Sequence, residues 1–179
     1  DSTFTENKAS GYTGDDAEEV TGDGGAIQVQ DSGTVIISDS TFSGNNAYDD
    51  GGAINVQTYF GSVMITRSTF EDNTVTRGRG GAIYVFMDDE ELDELGEDAG
   101  ISGSFTVVES EFSGNKSLSD DGGAIAIMGD SLGPITTSIE SSNFTYNEAA
   151  NDGGAVWVYS LYDTLTMASV TLENNDADW

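Results

Sequence analysis

The chain has 179 residues, of which 33 are Asp or Glu and 5 are Lys or Arg, so its formal charge at pH 7 is −28. Nucleic acids and anionic membranes are held by Lys and Arg, and this charge excludes both as partners. The absence of Cys and His excludes disulfides, thiolate and imidazole metal ligands and His-dependent catalysis. No apolar run reaches the roughly 18 residues of a membrane helix, so this segment is not expected to insert into a membrane.

Two short motifs alternate along the whole chain, with a basic unit of about 28 residues. Phe-x-x-Asn comes first and is followed, after a polar turn, by Gly-Gly-Ala-Ile or its Val variant. The first motif begins at Phe4, Phe42, Phe70, Phe112 and Phe144, with a degraded copy at Leu172, and the second begins at Gly24, Gly51, Gly80, Gly122 and Gly153.

Each unit contains two segments in which apolar residues stand two apart. Ile83 and Val85 follow a Gly-Gly pair, and Phe105 and Val107 lie ahead of the next Phe-x-x-Asn. This spacing predicts strands with one buried face. Because short strands at a fixed period cannot bury their faces singly, we predict one all-β domain over residues 1–179, a parallel β-helix of five to six coils. An antiparallel β-sandwich would explain the alternation but not the fixed order of the two motifs.

Equivalent residues of stacked coils should form ladders along the helix axis. Phe over Phe would fill one corner of the core, and the Asn side chains would hydrogen-bond to one another at a turn. The paired glycines would both supply positive φ before a strand. Two acidic segments, 8–21 and 87–100, are predicted to be insertions, either as solvated outer loops or as loose cation or partner contacts.

The alternation of Phe-x-x-Asn with Gly-Gly-Ala-Ile resembles the repeat of the polymorphic outer membrane proteins of chlamydiae and, more broadly, right-handed β-helix proteins of the pectate lyase type. The resemblance covers Ser2 to Asn175. It implies a right-handed coil, which the general crossover rule also favours, and a surface-exposed adhesive or structural segment. The chain departs from the chlamydial pattern in its lack of Cys and in its acidity, which is also typical of halophilic proteins.

An acidic edge is predicted beside the Gly-Gly pairs, where Asp precedes the pair in four of five units. Stacked carboxylates repel one another unless a cation neutralises them, and Ca²⁺ prefers oxygen ligands. Arg79 takes the Asp position in the third unit and would neutralise Asp50 or Asp121. The alternative is that Asp serves as a turn residue and that salt screens the charge. The candidate metal ligands are Asp23, Asp49, Asp50, Asp120, Asp121 and Asp152.

A second candidate site lies on the outward positions of the Gly-Gly-Ala-Ile strands. Aromatic and Met side chains there would form an exposed patch rimmed by amides, suited to sugars or to another protein. The alternative is that an insertion covers them. The candidate contact residues are Tyr84, Phe86, Met128, Trp157 and Tyr159.

Two sites fit the glycosylation acceptor pattern. Asn115 is also a ladder Asn and should be buried, whereas Asn143 should point outward and is the candidate glycosylation site.

These observations favour a non-catalytic extracellular structural or adhesive segment of a cell-surface protein. A polysaccharide lyase needs a base and a cation, and only Tyr is left as a base here. One alternative is a carbohydrate-binding or lyase-like β-helix. Another is an ice- or mineral-binding surface, which needs a flat, regular array of Thr or carboxylates, and only the acidic edge approaches such an array. Both ends of the sequence fall within a coil, which predicts continuation by further sequence or cover by another subunit, as in a filament. The expected partners are therefore other copies or subunits of a surface assembly, or glycans.

Overall fold

The structure is a computed structural model, and it describes residues 1–11, 22–30, 33–58, 61–88, 103–130, 135–159 and 164–178. The described residues form β-strands and no helix, so none of them provides a helix that could cross a membrane. The strands, numbered in chain order, lie in four parallel sheets, which we name A to D.

Sheet A, which carries the Phe of the Phe-x-x-Asn motif, contains β1 (Ser2–Thr5), β5 (Ser40–Ser43), β9 (Thr69–Glu71), β13 (Glu111–Ser113), β17 (Asn143–Thr145) and β21 (Thr171–Glu173). Sheet B contains β2 (Lys8–Ala9), β6 (Asn46–Ala47), β10 (Thr74–Val75), β14 (Lys116–Ser117), β18 (Glu148–Ala149) and β22 (Asp176–Ala177). Sheet C, which follows the Gly-Gly pairs, contains β3 (Ile27–Gln30), β7 (Ile54–Thr58), β11 (Ile83–Asp88), β15 (Ile125–Asp130) and β19 (Val156–Tyr159). Sheet D contains β4 (Thr34–Ser38), β8 (Gly61–Thr66), β12 (Gly103–Val108), β16 (Ile135–Glu140) and β20 (Thr164–Ala168).

Each coil passes through sheets A, B, C and D in turn, and every strand pairs with the same strand of the next coil. The pairing is parallel and in register, as where Ile83 lies between Ile54 and Ile125. This arrangement is a right-handed parallel β-helix, so the predicted fold is confirmed. The two-residue strands of sheet B were not predicted, because two residues carry no readable alternation.

Aromatic rings of the Phe-x-x-Asn motif stack along the axis of the core. The rings of Phe4, Phe42, Phe70, Phe112 and Phe144 follow one another at centroid distances of 4.6 to 4.8 Å, with interplanar angles of 1 to 5°. These distances equal the spacing of paired strands, about 4.8 Å. The predicted Phe ladder is therefore confirmed.

The Asn of the same motif forms a buried ladder at the turn between sheets A and B. The Nδ2 of Asn115 donates to the Oδ1 of Asn147 at 2.9 Å and to the backbone oxygen of Phe70 at 3.0 Å. Its Oδ1 accepts from the Nδ2 of Asn73 at 2.9 Å. The same contacts link all six Asn side chains from Asn7 to Asn175. This predicted ladder is confirmed as well.

A second polar ladder, of Ser, lies at the turn between sheets D and A and was not predicted. The Ser110 hydroxyl donates to the backbone oxygen of Val108 at 2.9 Å and accepts the backbone N–H of Ser68 at 3.1 Å. Ser68 and Ser142 repeat both contacts, and Ser40 repeats the first. The repeated Ser two residues before each motif Phe was the available signal.

The two glycines of each pair have different roles, so the prediction that both supply positive φ was wrong for the second. Gly51 has a φ of 64°, a conformation that other residues adopt at a cost. Gly52 does not have positive φ, but a Cβ there would collide with the backbone oxygen of Gly81 in the next coil. The first glycine therefore makes the turn, and the second allows the coils to stack.

The two predicted insertions lie largely outside the described residues. The described ends of both segments belong to the coil, because Lys8–Ala9 forms β2 in sheet B and β11 in sheet C runs to Asp88. The regular coil therefore extends further into both segments than predicted.

Candidate functional site

The carboxylates before the Gly-Gly pairs form hydrogen bonds to the backbone of the next coil. Asp23 accepts the backbone N–H of Asp50 at 3.2 Å, and Asp121 accepts that of Asp152 at 3.1 Å. Asp50 accepts that of Arg79 at 2.8 Å. A short acidic side chain suits this role because its oxygen reaches a neighbouring N–H. These three Asp side chains therefore join neighbouring coils, a contact that the sequence did not predict.

Arg79 takes the Asp position in the third coil and turns its side chain along the edge. Its Nε lies 3.3 Å from the Oδ2 of Asp121, and its guanidinium lies 3.5 Å from the Oδ2 of Asp120. The prediction that Arg79 neutralises a carboxylate of the edge is confirmed for Asp121. Asp50, the other candidate, contacts the backbone of Arg79 rather than its guanidinium.

Burial changes the acidity of this edge. Burial raises the pKa of Asp50 to about 6, and the nearby carboxylates of Asp49 and Asp23 act in the same direction. Burial also raises the pKa of Asp120, and Asp121 adds to this effect. The edge therefore carries carboxyl groups that bind protons more readily than carboxyls in solvent.

The six predicted metal ligands do not come together as one site. Among the described residues, no group of three or more acidic side chains is placed to hold a metal ion. Asp120 and Asp121 share Arg79 as their cation. Asp23 and Asp50 instead accept hydrogen bonds from the backbone of the next coil. Calcium binding by Asp23, Asp49, Asp50, Asp120, Asp121 and Asp152 stays a prediction.

The outward column of sheet C brings the predicted aromatic residues to one face. Tyr84 pairs in register with Ala126, which pairs with Trp157. Phe86 pairs with Met128, which pairs with Tyr159. On β19 the Trp157 and Tyr159 rings lie 5.6 Å apart, with an interplanar angle of 8°. We call Phe86, Met128, Trp157 and Tyr159 the Trp157 patch.

Exposure separates Tyr84 from this patch. Tyr159 is 57% exposed, and Trp157, Met128 and Phe86 are half-buried. Tyr84 is only 4% exposed, so its predicted exposure was wrong. Its hydroxyl lies 3.7 Å from the Met128 sulfur. Burial also raises the pKa of Tyr84 above its ordinary value, so its phenol stays protonated at neutral pH and is not available as a base.

Arg79 joins the acidic edge to the Trp157 patch. Its guanidinium lies 5.3 Å from the centroid of the Trp157 ring, within the range of a cation–π contact. It also lies 3.7 Å from the Met128 sulfur. The two sites that the sequence predicted separately thus meet at one side chain, because the residue at the Asp position is long enough to cross the face of the sheet.

Asn55, predicted as part of the amide rim, is completely buried between Gln28 and Tyr84 in the outward column of sheet C. Neither its amide nitrogen nor its amide oxygen has a hydrogen-bond partner. A buried amide without partners costs about 1–3 kcal/mol. Sequence reasoning missed this because outward parity alone indicates exposure.

Three of the four other described cations connect neighbouring coils. Arg67 pairs with Asp39 at 2.6 Å, and Lys116 pairs with Glu148 at 2.7 Å. Arg77 donates to the Tyr48 hydroxyl at 3.0 Å. Each of these contacts joins one coil to the next, so these cations are engaged within the coils.

The two glycosylation patterns differ in burial as expected. Asn115 is completely buried in the Asn ladder. Asn143 stands on the outer face of β17 and is exposed. The outward orientation of Asn143 is therefore confirmed, and its glycosylation stays a prediction.

The stacked coils and their side-chain ladders define a right-handed parallel β-helix protein built from one repeated unit. The family profile of the Chlamydia polymorphic membrane protein (Chlamydia_PMP) repeat matches residues 1–30, 39–57, 67–85 and 109–127. The chain therefore carries Chlamydia polymorphic membrane protein repeats, as its sequence resemblance implied. No curated protein and no solved structure gives a significant match to the chain.

Proposed function

We propose that the chain is a non-catalytic structural and adhesive segment of a cell-surface protein. This proposal rests on one observation, which is that the matches to the family repeat begin and end at the same points of successive coils. The matched ranges 39–57, 67–85 and 109–127 each begin at the turn before sheet A and end in the strand of sheet C. Each match thus covers the part of one coil that runs through sheets A, B and C, and repetition of this coil lengthens a stiff support.

The charges and ladders support a structural role. Asn and Ser ladders tie each coil to the next, and Arg67 and Lys116 pair across coils. A lyase would need a free cation and a base beside an acidic sugar, but Tyr84 is buried and its pKa is raised. The formal charge of −28 would repel an acidic polysaccharide.

The Trp157 patch supports an adhesive role. Trp157 and Tyr159 present two nearly parallel rings on the outer face, with Arg79 beside them. Aromatic rings of this kind offer contact area to neutral sugars or to a protein at little entropic cost. The partners that we infer are therefore glycans or other subunits of the surface assembly.

Localisation is tested with antibodies raised against the purified chain. They should label intact cells of the source organism, and protease treatment of intact cells should remove the label. Labelling that appears only after the cells are permeabilised would contradict the proposal.

Adhesion is tested with beads coated with the chain and passed over surfaces that carry neutral glycans. Bead retention should fall about tenfold in a Trp157→Ala/Tyr159→Ala variant. Tyr146→Ala is the matched control, because Tyr146 is an exposed Tyr outside the patch. Equal retention of all three proteins would remove the patch from the proposal and leave the structural role.

A further inference from the structure

The outer face of sheet D carries hydroxyl groups in a regular array. Its outward residues fall into three columns, because the five strands pair in parallel register. The first column consists of hydroxyl residues throughout, namely Thr34, Ser62, Ser104, Thr136 and Thr164. The second column is Ile36, Met64, Thr106, Ser138 and Thr166, and the third is Ser38, Thr66, Val108, Glu140 and Ala168.

This face is almost free of charge on a chain whose formal charge is −28. Glu140 is the only charged residue in the three columns. The outer face of sheet A, in contrast, exposes Glu71, Glu111 and Glu173. The uncharged face also exposes apolar side chains, with Ile36 at 68% and Met64 at 43%. A face of this kind suits an uncharged partner that offers hydrogen bonds and does not require charge.

The array keeps its spacing in two directions. Strands of neighbouring coils lie about 4.8 Å apart, and outward residues of one strand lie about 6.6 Å apart. All five strands of sheet D also keep one register, as where Ser104 lies between Ser62 and Thr136. The outward columns therefore form a two-dimensional array in constant register over five coils.

We propose that this face binds ice. The water molecules of ice form a rigid, uncharged lattice of hydrogen-bond donors and acceptors at fixed spacings. The Thr and Ser hydroxyls can hydrogen-bond to such a lattice, while the methyl groups between them contact it without competing for water. Binding comes from many weak contacts made at once, which requires the constant register of the five strands.

Two other occupants fit this face less well. Five strands of about five residues cover roughly 400 Å², about half of the 800 Å² that each partner of a stable protein pair buries. A second copy of the chain is thus poorly supported by this face alone. Crystalline polysaccharide is usually gripped by aromatic rings, and the three outward columns of sheet D contain none.

The test is inhibition of ice recrystallisation by the purified full chain. The wild-type chain should keep ice grains small at micromolar concentration and should partition into a slowly grown ice hemisphere. Thr106→Tyr places a bulky ring in the centre of the array and should raise the effective concentration about tenfold or more. Thr69→Tyr is the matched control, because Thr69 is a half-buried outward Thr at the centre of sheet A. It should behave like the wild type.

Circular dichroism of each variant shows whether the coil is intact. Should Thr106→Tyr fail to fold, Thr136→Lys tests the same array at an exposed position. A wild-type chain without effect on ice would overturn the proposal, and so would equal losses in Thr106→Tyr and Thr69→Tyr. Retention on powdered chitin or cellulose that is lost in Thr106→Tyr, without any effect on ice, would reassign the face to polysaccharide.

Discussion

The carboxylate of Asp50 accepts the backbone N–H of Arg79 at 2.8 Å, while the guanidinium of Arg79 reaches across the edge to Asp121 and to the Trp157 ring. Asp50 is thus held in a half-buried position by a hydrogen bond, without the guanidinium as an ion-pair partner. Its raised pKa, about 6, follows mainly from this burial.

Replacement of Asp50 by Asn should stabilise the protein at neutral pH. The folded-state pKa of about 6 lies above the unfolded value of 3.8, so the folded state binds the proton more tightly between these values. Wild-type stability should therefore fall as the pH rises from about 4 to about 6. Asp50→Asn keeps an oxygen for the Arg79 N–H and removes this dependence. The expected gain at pH 7 is on the order of 2 kcal/mol.

The measurement is thermal melting of both proteins from pH 4 to pH 8 at constant ionic strength. The two melting curves should nearly coincide at about pH 4 and separate as the pH rises. Asp152→Asn is the control, because it changes the same charge at an exposed position of the edge. An equal gain in both variants would assign the effect to net charge rather than to the burial of Asp50.

Arg79→Gln should destabilise the protein by about 1–3 kcal/mol, because it leaves the half-buried Asp120 and the buried Asp121 without their cation. It should also shift Trp157 fluorescence, because the guanidinium lies over that ring. Arg67→Gln provides the comparison. Its ion pair with Asp39 is solvent-exposed, and such pairs contribute little to stability. Equal losses in urea unfolding, with unchanged fluorescence, would contradict this role for Arg79.

The coil was predictable from sequence because its determinants recur in fixed order. Phe112 and Asn115 each have one environment, set by the identical residue in the coils on either side. The sequence of a repeat therefore indicates which residues contact one another in neighbouring coils. Parity along a strand also identified the inward and outward sides correctly, as in the outward Asn143.

The candidate site was less predictable because it depends on the departures from the repeat. Arg79 differs from the Asp of the other coils, and the reach of its side chain decides which groups it joins. Parity placed Tyr84 and Asn55 outward, but neighbouring side chains bury both. The hydroxyl columns of sheet D were visible in sequence as Ser or Thr beside each inward apolar residue, but only the apolar positions of that strand indicate which side is buried.

Asn115→Asp should destabilise the protein by about 2–4 kcal/mol. The carboxylate loses the Nδ2 donor to Asn147 and to the Phe70 backbone oxygen, and it places a charge at a completely buried position. The same change at exposed Asn143 should have almost no effect on stability. Urea unfolding of both variants measures the difference. A small loss for Asn115→Asp would mean that the ladder contributes little to stability.

Ile83→Asp or Phe112→Asp should unfold the neighbouring coils. Both side chains are completely buried, and the Phe112 ring stacks on Phe70 and Phe144 at 4.8 and 4.7 Å. Loss of a buried ring costs about 3–5 kcal/mol, and an uncompensated carboxylate adds several more. Tyr146→Asp, at a 65% exposed position, is the control. Unchanged circular dichroism and melting in either core variant would show that the ladder assignment is wrong.

Salt should stabilise the chain, and calcium tests the acidic edge separately. A formal charge of −28 repels itself in the compact state, and about 0.1 M salt screens charges more than about 10 Å apart. The melting temperature should therefore rise with NaCl.

The acidic edge predicts a further rise of the melting temperature in millimolar Ca²⁺ at the same ionic strength. This rise should be lost in an Asp49→Asn/Asp120→Asn variant. Light scattering and electron microscopy in the same buffers report whether Ca²⁺ also joins chains into filaments. Equal melting in NaCl and Ca²⁺, with monomers throughout, would leave screening alone as the role of these carboxylates.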